Sequence, residues 1–180
     1  PPFRRSMIKP DAWVPLADIA RAHGVKGEVR LRLYNRDSDL LLGADEVLVR
    51  LPDGEEHEVS VDGARRANDA ILMKLHSVDD KDRADELQRA QICLRRKDFP
   101  APEAGEFYVC DAVGAEVSSR GKRLGTVKDV AAYPSISVLV VKASDGGKDW
   151  EIPLTDTFIA KVDLENGAID IATTEGLERA

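Results

Sequence analysis

The feature that most constrains this chain is a series of short segments in which apolar and polar residues alternate. In the segment 28–34, Val29, Leu31 and Leu33 lie on one face of an extended chain, and polar residues lie on the other. Segments of this kind recur through the first half of the chain, separated by turn-forming residues. The pattern predicts half-buried strands that close into a small β-barrel. The other strands predicted in this half are Trp13–Ala20, Val47–Val49, His57–Val61 and Ile71–Leu75.

One stretch of the first half has a helical pattern instead. Residues 77–90 begin with capping residues, and Ala84, Leu87 and Gln88 then recur at helical spacing. We expect one short helix there, followed by a last strand over Gln91–Arg95.

The second half begins with a different composition. Residues 98–105 contain Pro100 and Pro102, which lack a backbone donor, so we expect an extended connector. Beyond it, residues 106–111 are predicted to form a short helix, and Asn166-Gly167 predicts a tight hairpin. The strands predicted here are Thr126–Val130, Val138–Val141, Trp150–Pro153, Lys161–Asp163 and Ala168–Ile171.

The expected fold is therefore mostly β, with two small β-barrel domains and one or two short helices. The predicted bounds are 1–12 for a disordered N-terminus, 13–97 for the first domain, 98–105 for the linker and 106–177 for the second domain. Pro1–Ser6 precede Met7 and are expected to be a non-native leader.

Composition limits the class of protein. Hydrophobic residues make up 43% and charged residues 33% of the chain, which favours a folded, soluble protein. No run approaches the roughly 18 apolar residues that cross a bilayer, and the start lacks the apolar stretch of a signal peptide. We therefore expect a cytoplasmic protein with no membrane contact.

Few residues suggest metal or redox chemistry. Cys93 and Cys110 lie in apolar contexts and are expected to be buried free thiols, and the histidines are isolated. No phosphate loop, nucleophile elbow or metalloprotease spacing is present in the sequence. We expect no metal and no cofactor. A small barrel enzyme whose catalytic residues converge from distant segments stays open as an alternative.

The charge is divided unequally along the chain. Residues 1–97 hold 18 basic and 18 acidic side chains, whereas residues 98–180 hold 8 basic and 15 acidic, so the second half carries the net charge of −7. An acidic domain is suited to a basic protein partner and poorly suited to bare RNA. That the acidity only confers solubility is an equally open interpretation.

Two regions carry a family resemblance. The segment Ile19–Arg30, IARAHGVKGEVR, closely resembles the N-terminal signature of the ribosome maturation factor RimM family. The second half resembles that family's PRC-barrel domain in Phe107-Tyr108, where family members often have two tyrosines. Further agreement lies in Asp111–Gly114, Leu124–Val127, Val138–Val141, Ile152–Leu154 and Val162-Asp163. The resemblance extends from about residue 13 to residue 177.

The resemblance implies a translation-factor-like barrel followed by a PRC-barrel, in a monomeric ribosome assembly factor that is not an enzyme. It implies binding to ribosomal protein nineteen of the small subunit, and a role in maturing 16S rRNA and the head of the 30S precursor. In the family, the PRC-barrel domain with its paired aromatic residues is associated with the ribosomal protein. The first barrel is expected to face the ribosome.

The candidate residues for contact with the ribosome and its RNA lie in one turn and the strand after it. They are His23, Gly24, Lys26, Gly27, Arg30, Arg32 and Arg36. The glycines would let the backbone approach a partner closely, and the cations would contact phosphates. A plain tight turn and a solvated strand face are the structural alternatives.

The candidate residues for binding the ribosomal protein are aromatic. They are Phe107, Tyr108, Tyr133 and Trp150. Aromatic side chains bury much area at low entropic cost, which is why they anchor interfaces. We favour a core position for Phe107 and a contact role for Tyr108. A general RNA-binding barrel is the rival binding function, and the few aromatics and the acidic second half make it the weaker one.

Overall fold

The computed structural model describes residues 8–133 and 135–180. The chain divides into two compact units, one over Pro10–Pro100 and one that contains Ala101–Ala180. The leader predicted at residues 1–6 lies outside the described residues.

The first unit contains six strands and one short helix. The strands are β1 (Trp13–His23), β2 (Glu28–Leu33), β3 (Glu46–Arg50), β4 (Glu56–Ala67), β5 (Ala70–Leu75) and β6 (Gln91–Arg95). The helix α1 spans Lys81–Glu86, and 3₁₀ turns span Leu40–Gly43 and Arg96–Asp98.

The six strands form a closed barrel in the order β1-β2-β5-β4-β3-β6, with β1 pairing to both β2 and β6. Two register shifts in β1, between Pro15 and Ala17 and between Ile19 and Arg21, bend the strand so that it can pair on both sides. The predicted alternation is confirmed, since Val29 and the other apolar residues of β2 are buried inside the barrel.

The helix is shorter than the sequence predicted. Asp80 caps it, because its side chain accepts a hydrogen bond from the Arg83 backbone N–H. The chain leaves the helix before Arg89, which has a positive φ of 70° and donates its backbone N–H to the carbonyl oxygen of Ile19 at 2.8 Å. The return to β1 therefore ends the helix one turn early.

The described residues of the second unit form seven strands in one curled sheet. The strands are β7 (Glu116–Ser119), β8 (Lys122–Ala132), β9 (Ser137–Ala143), β10 (Trp150–Pro153), β11 (Ile159–Asp163), β12 (Ala168–Ile171) and β13 (Glu178–Arg179). Their order in the sheet is β11-β12-β7-β8-β9-β10-β13, and β12 pairs with β7 in parallel.

Apolar residues from these strands form one core. Its fully buried members include Val117, Val127, Leu139, Val141, Ile152 and Ile169. Residues 164–167 join β11 to β12 as an antiparallel hairpin, so the predicted hairpin is confirmed. The predicted two-residue Asn166-Gly167 turn is wrong, because four residues connect the strands and only Gly167 of the pair has a positive φ. The helix predicted at 106–111 is wrong in type and position, because a 3₁₀ turn covers Val109–Ala112 instead.

The expected fold class is confirmed: the chain is mostly β and its two sheets are curled into barrel-like shapes. None of the helices in the described part of the chain has the length and apolar character that a membrane crossing requires.

Candidate functional site

The turn between β1 and β2 has a glycine at two positions where φ is positive. Gly24 has a φ of 65° and open space around it, whereas a Cβ on Gly27 would lie 2.0 Å from the Val78 carbonyl oxygen. The close approach predicted for Gly27 is therefore made to the chain's own backbone, not to a partner. Gly24, Val25 and Lys26 are exposed and form the accessible part of the turn, and Val25 is 74% exposed.

Two of the predicted cations on β2 are already paired with acids. A guanidinium nitrogen of Arg30 lies 3.7 Å from Asp69, and one of Arg32 lies 3.0 Å from Asp18. The Arg32 ion pair follows from the barrel register, which sets Asp18 opposite Arg32. The positive patch expected from the sequence is thus partly neutralised on β2.

Arg36 lies in the loop after β2, and a second arginine holds that loop. Arg66 donates to the carbonyl oxygens of Arg36 at 3.0 Å and Ser38 at 2.7 Å, and it also pairs with Asp39. Arg36 is exposed and has no ion pair among the described residues. The loop therefore presents an uncompensated cation on a fixed backbone.

Two further exposed arginines of the first unit were missed by the sequence prediction. Arg21 lies opposite Arg30 in the β1–β2 register, and Arg89 bonds through its backbone to Ile19. Both are exposed, and neither has an ion pair within residues 8–133 and 135–180. Arg21 stood inside the family signature, but the position of Arg89 depends on a backbone turn that the sequence pattern did not show.

A hydrogen-bonded row crosses the outer wall of the barrel beside these cations. Tyr34 donates to Asp18, Gln91 donates to the Tyr34 hydroxyl at 3.1 Å, and Arg50 donates to Gln91 at 3.2 Å. Burial, and then the hydrogen bond to Asp18, raise the pKa of Tyr34 well above its usual value. Asp18 is therefore fixed between Tyr34 and Arg32.

The exposure of the two neighbouring aromatic residues, Phe107 and Tyr108, is the reverse of what we expected. Phe107, favoured as a core residue, is 40% exposed, while Tyr108, favoured as the contact residue, is half-buried where the 3₁₀ turn begins. A phenyl ring left in water costs free energy, so an exposed Phe107 is a better contact candidate than the sequence suggested.

Tyr133 follows β8 and is 54% exposed. Its backbone forms a reciprocal pair of hydrogen bonds with Ile136, at 2.9 Å and 3.3 Å, which closes the turn between β8 and β9. The side chain of Tyr133 is thereby presented on a constrained loop.

Trp150 is covered on one side by the C-terminal strand. The Cζ atom of Arg179 lies 4.4 Å from the ring centroid, and the same guanidinium binds Asp145 at 2.8 Å and 3.2 Å. The Arg179 hydrogen bond, and then the Gly147 backbone N–H, lower the pKa of Asp145 to about 2. Trp150 is half-buried, so part of the predicted contact area is occupied by the chain itself.

The two thiols differ in burial. Cys93 is buried, and burial raises its pKa to about 11; Cys110 is half-buried, so only one of the two predicted buried thiols is fully enclosed. No group of three or more His, Cys, Asp or Glu side chains is placed to hold a metal ion in the part of the chain that the structure describes.

The fold and these surfaces define a two-domain β protein whose candidate sites are exposed cations on one unit and exposed aromatics on an acidic second unit. The family model described as the RimM N-terminal domain matches residues 14–99, and the one described as the RimM PRC barrel domain matches residues 109–177. The chain belongs to the RimM family.

Curated relatives agree with this assignment. A ribosome maturation factor RimM of Sorangium cellulosum is 43% identical over 92% of this chain and 97% of its own length. A protein of the same name from Myxococcus xanthus is 32% identical over 96% of this chain and 92% of its own length. A third, from Pelobacter propionicus, is 31% identical over 95% of this chain and 98% of its own length.

Proposed function

We propose that this chain is a cytoplasmic, monomeric ribosome maturation factor with no catalytic activity. Its second unit binds ribosomal protein nineteen of the small subunit, and its first barrel faces 16S rRNA in the head of the 30S precursor. The names of its curated relatives support the role in ribosome maturation. The family resemblance implies the two partners, and the charge and exposed side chains of the two units support them.

The observation that carries the proposal is the pair of exposed aromatics, Phe107 and Tyr133, on an acidic unit. Residues 98–180 hold 15 acidic and 8 basic side chains. Exposed aromatics supply the buried area of an interface, and surrounding carboxylates attract a cationic partner. Ribosomal proteins are generally basic, so this combination suits one of them better than it suits RNA.

The first barrel carries exposed cations at both ends of β2 and on neighbouring segments. Lys26, Arg36, Arg21 and Arg89 are exposed cations without an ion pair among the described residues. Cations without an ion pair can bind phosphates directly and release the counterions of the RNA. Arg30 and Arg32 would first have to break their ion pairs with carboxylates, so they are expected to bind phosphates less well. The barrel therefore supports a modest RNA contact that positions the factor.

Co-sedimentation with ribosomal particles tests the proposed function. The full chain is added at a fixed salt concentration to separated 30S precursors, mature 30S subunits and 50S subunits. We expect binding to the precursors and much weaker binding to the other two, because an assembly factor must leave the finished particle. Equal binding to all three, or none to the precursors, would contradict the proposal.

A further inference from the structure

The hairpin that joins β7 to β8 ends in a two-residue turn of unusual composition. Ser119 pairs with Lys122, which leaves Arg120 and Gly121 as the two central residues of the turn. Their φ angles are 50° and 76°. Hairpins with positive φ at both central positions favour Asn-Gly or Gly-Gly, because those residues tolerate this conformation.

Arginine is a poor choice for the first of these positions. Its Cβ is crowded at positive φ, and a glycine there would be relaxed. A residue held in an unfavourable conformation is a reason to look for a role of its side chain. Space is open around Gly121, so contacts with neighbouring residues do not explain why this turn has arginine and glycine at its centre.

The cations at the tip are uncompensated. Arg120 and Lys122 are exposed, and neither takes part in an ion pair among residues 8–133 and 135–180. The adjacent Arg123 differs, since it lies 3.4 Å from Glu116 and donates to Thr126 at 3.3 Å. The tip therefore concentrates free positive charge on a unit in which acids outnumber bases.

We infer that the tip formed by Arg120 and Lys122 is a second RNA contact, which binds the phosphate backbone at the end of β8 opposite to Tyr133. This inference rests on the proposed function, in which the second unit sits on a ribonucleoprotein particle. An acidic unit on RNA is repelled over most of its surface, so an exposed cationic tip gives it a local attachment point. Backbone phosphates, not bases, are the expected ligand, because the turn carries no aromatic side chain for stacking.

The test is RNA binding by the full chain, measured by fluorescence anisotropy on a transcript of the 16S rRNA head domain at several salt concentrations. The tip variant is R120G/K122T, in which glycine suits the positive φ and threonine suits a strand. The control variant, K142T/K161T, removes two exposed lysines from β9 and β11, and with them the same net charge.

We expect the tip variant to bind the transcript about tenfold more weakly at 0.1 M salt, with a salt slope lower by about 1.5, as two lost phosphate contacts require. The control variant should match wild type in its affinity for the transcript and in its salt slope. Binding of either variant to the ribosomal protein should be unchanged, which separates this contact from the protein site.

If wild type binds the transcript and the tip variant binds it equally well, the inference is overturned and the proposed function stands. If wild type does not bind the transcript at all, the result contradicts both this inference and the proposed contact of the first barrel with 16S rRNA. If the tip variant loses affinity for 30S precursors but not for the transcript, the tip contacts a protein, and the inference is again overturned.

Discussion

The guanidinium group of Arg179 lies over the indole ring of Trp150, 4.4 Å from its centroid, and thereby fixes the last strand of the second unit. The register places these two residues opposite each other in the β10–β13 pair. The side chain of Arg179 also reaches the Lys148 carbonyl oxygen at 2.9 Å and both carboxylate oxygens of Asp145. One arginine thus controls how much of Trp150 a partner can reach.

Replacing this arginine should uncover the ring. In R179A, we expect Trp150 to emit at a longer wavelength than in wild type, because the ring gains contact with water. The control is R123A, which removes an ion pair elsewhere in the same unit. The measurement is tryptophan emission, with Trp13 replaced by Phe in all samples so that only Trp150 emits. An unchanged emission maximum in R179A would show that Arg179 does not shield Trp150 from water.

The Asp145 ion pair should also make stability depend on acid pH. Because the pKa of Asp145 is lowered in the folded state from 3.8 to about 2, its contribution to stability is present above about pH 3.8 and is lost as the pH falls toward 2. The difference in free energy of unfolding between wild type and R179A should therefore shrink between about pH 4 and pH 2. A difference that stays constant down to pH 2 would show that the pair does not stabilise the fold.

Tyr34 should stabilise the first barrel through its hydroxyl group. Y34F removes the donor to Asp18 and the acceptor of Gln91, and we expect a loss of about 1 kcal/mol in urea unfolding. Y133F, at an exposed tyrosine, should lose almost nothing. Since the pKa of Tyr34 is raised, its contribution should be complete below about pH 10 and fall at higher pH. An equal loss of unfolding free energy in Y34F and Y133F would show that the hydrogen bonds of the Tyr34 hydroxyl do not stabilise the barrel.

The two glycines of the β1–β2 turn should respond differently to a methyl group. G24A adds strain from a φ of 65° in open space, which costs about 1 kcal/mol. G27A adds a clash with the Val78 carbonyl oxygen as well, so we expect it to cost about 1–3 kcal/mol more. Thermal or urea unfolding of both variants measures the difference, and equal costs would show that Val78 moves aside freely.

The free cations of the first barrel should matter more for RNA than the paired ones. K26Q/R36Q and R30Q/R32Q each remove two positive charges, but only the second pair is bound to carboxylates in the barrel. We expect the first variant to lower the salt slope of binding to 30S precursors by about 1.5, and the second variant to lower it less. The opposite order would place the RNA contact on the outer face of β2.

Much of the fold could be predicted because its signals are local. The alternation in β2 and the hairpin between β11 and β12 depend on residues close in sequence, and both are present, although the hairpin turn has four residues and not two. The 3₁₀ turn at Val109–Ala112 and the short α1 were not, because neighbouring strands and loops end these elements. Single-residue propensity does not contain that information.

The candidate site was harder to predict, because it depends on distant pairings. The Arg32–Asp18 ion pair and the Gly27–Val78 contact follow from barrel register and closure, which the sequence pattern did not specify. The exposure of Phe107 also depends on what the rest of its unit leaves uncovered. The residues predicted for contact remain predictions, and the structure changes which of them are the best candidates.

Isothermal titration of the full chain with purified ribosomal protein nineteen tests the central claim most directly. We predict one binding site per chain, an affinity that weakens with added salt, and a loss of about 2 kcal/mol or more of binding energy in F107A/Y133A. V25A, at an exposed apolar residue of the first unit, should bind like wild type. No binding by wild type, or equal binding by F107A/Y133A and V25A, would contradict the claim that the exposed aromatic residues of the acidic unit hold this partner.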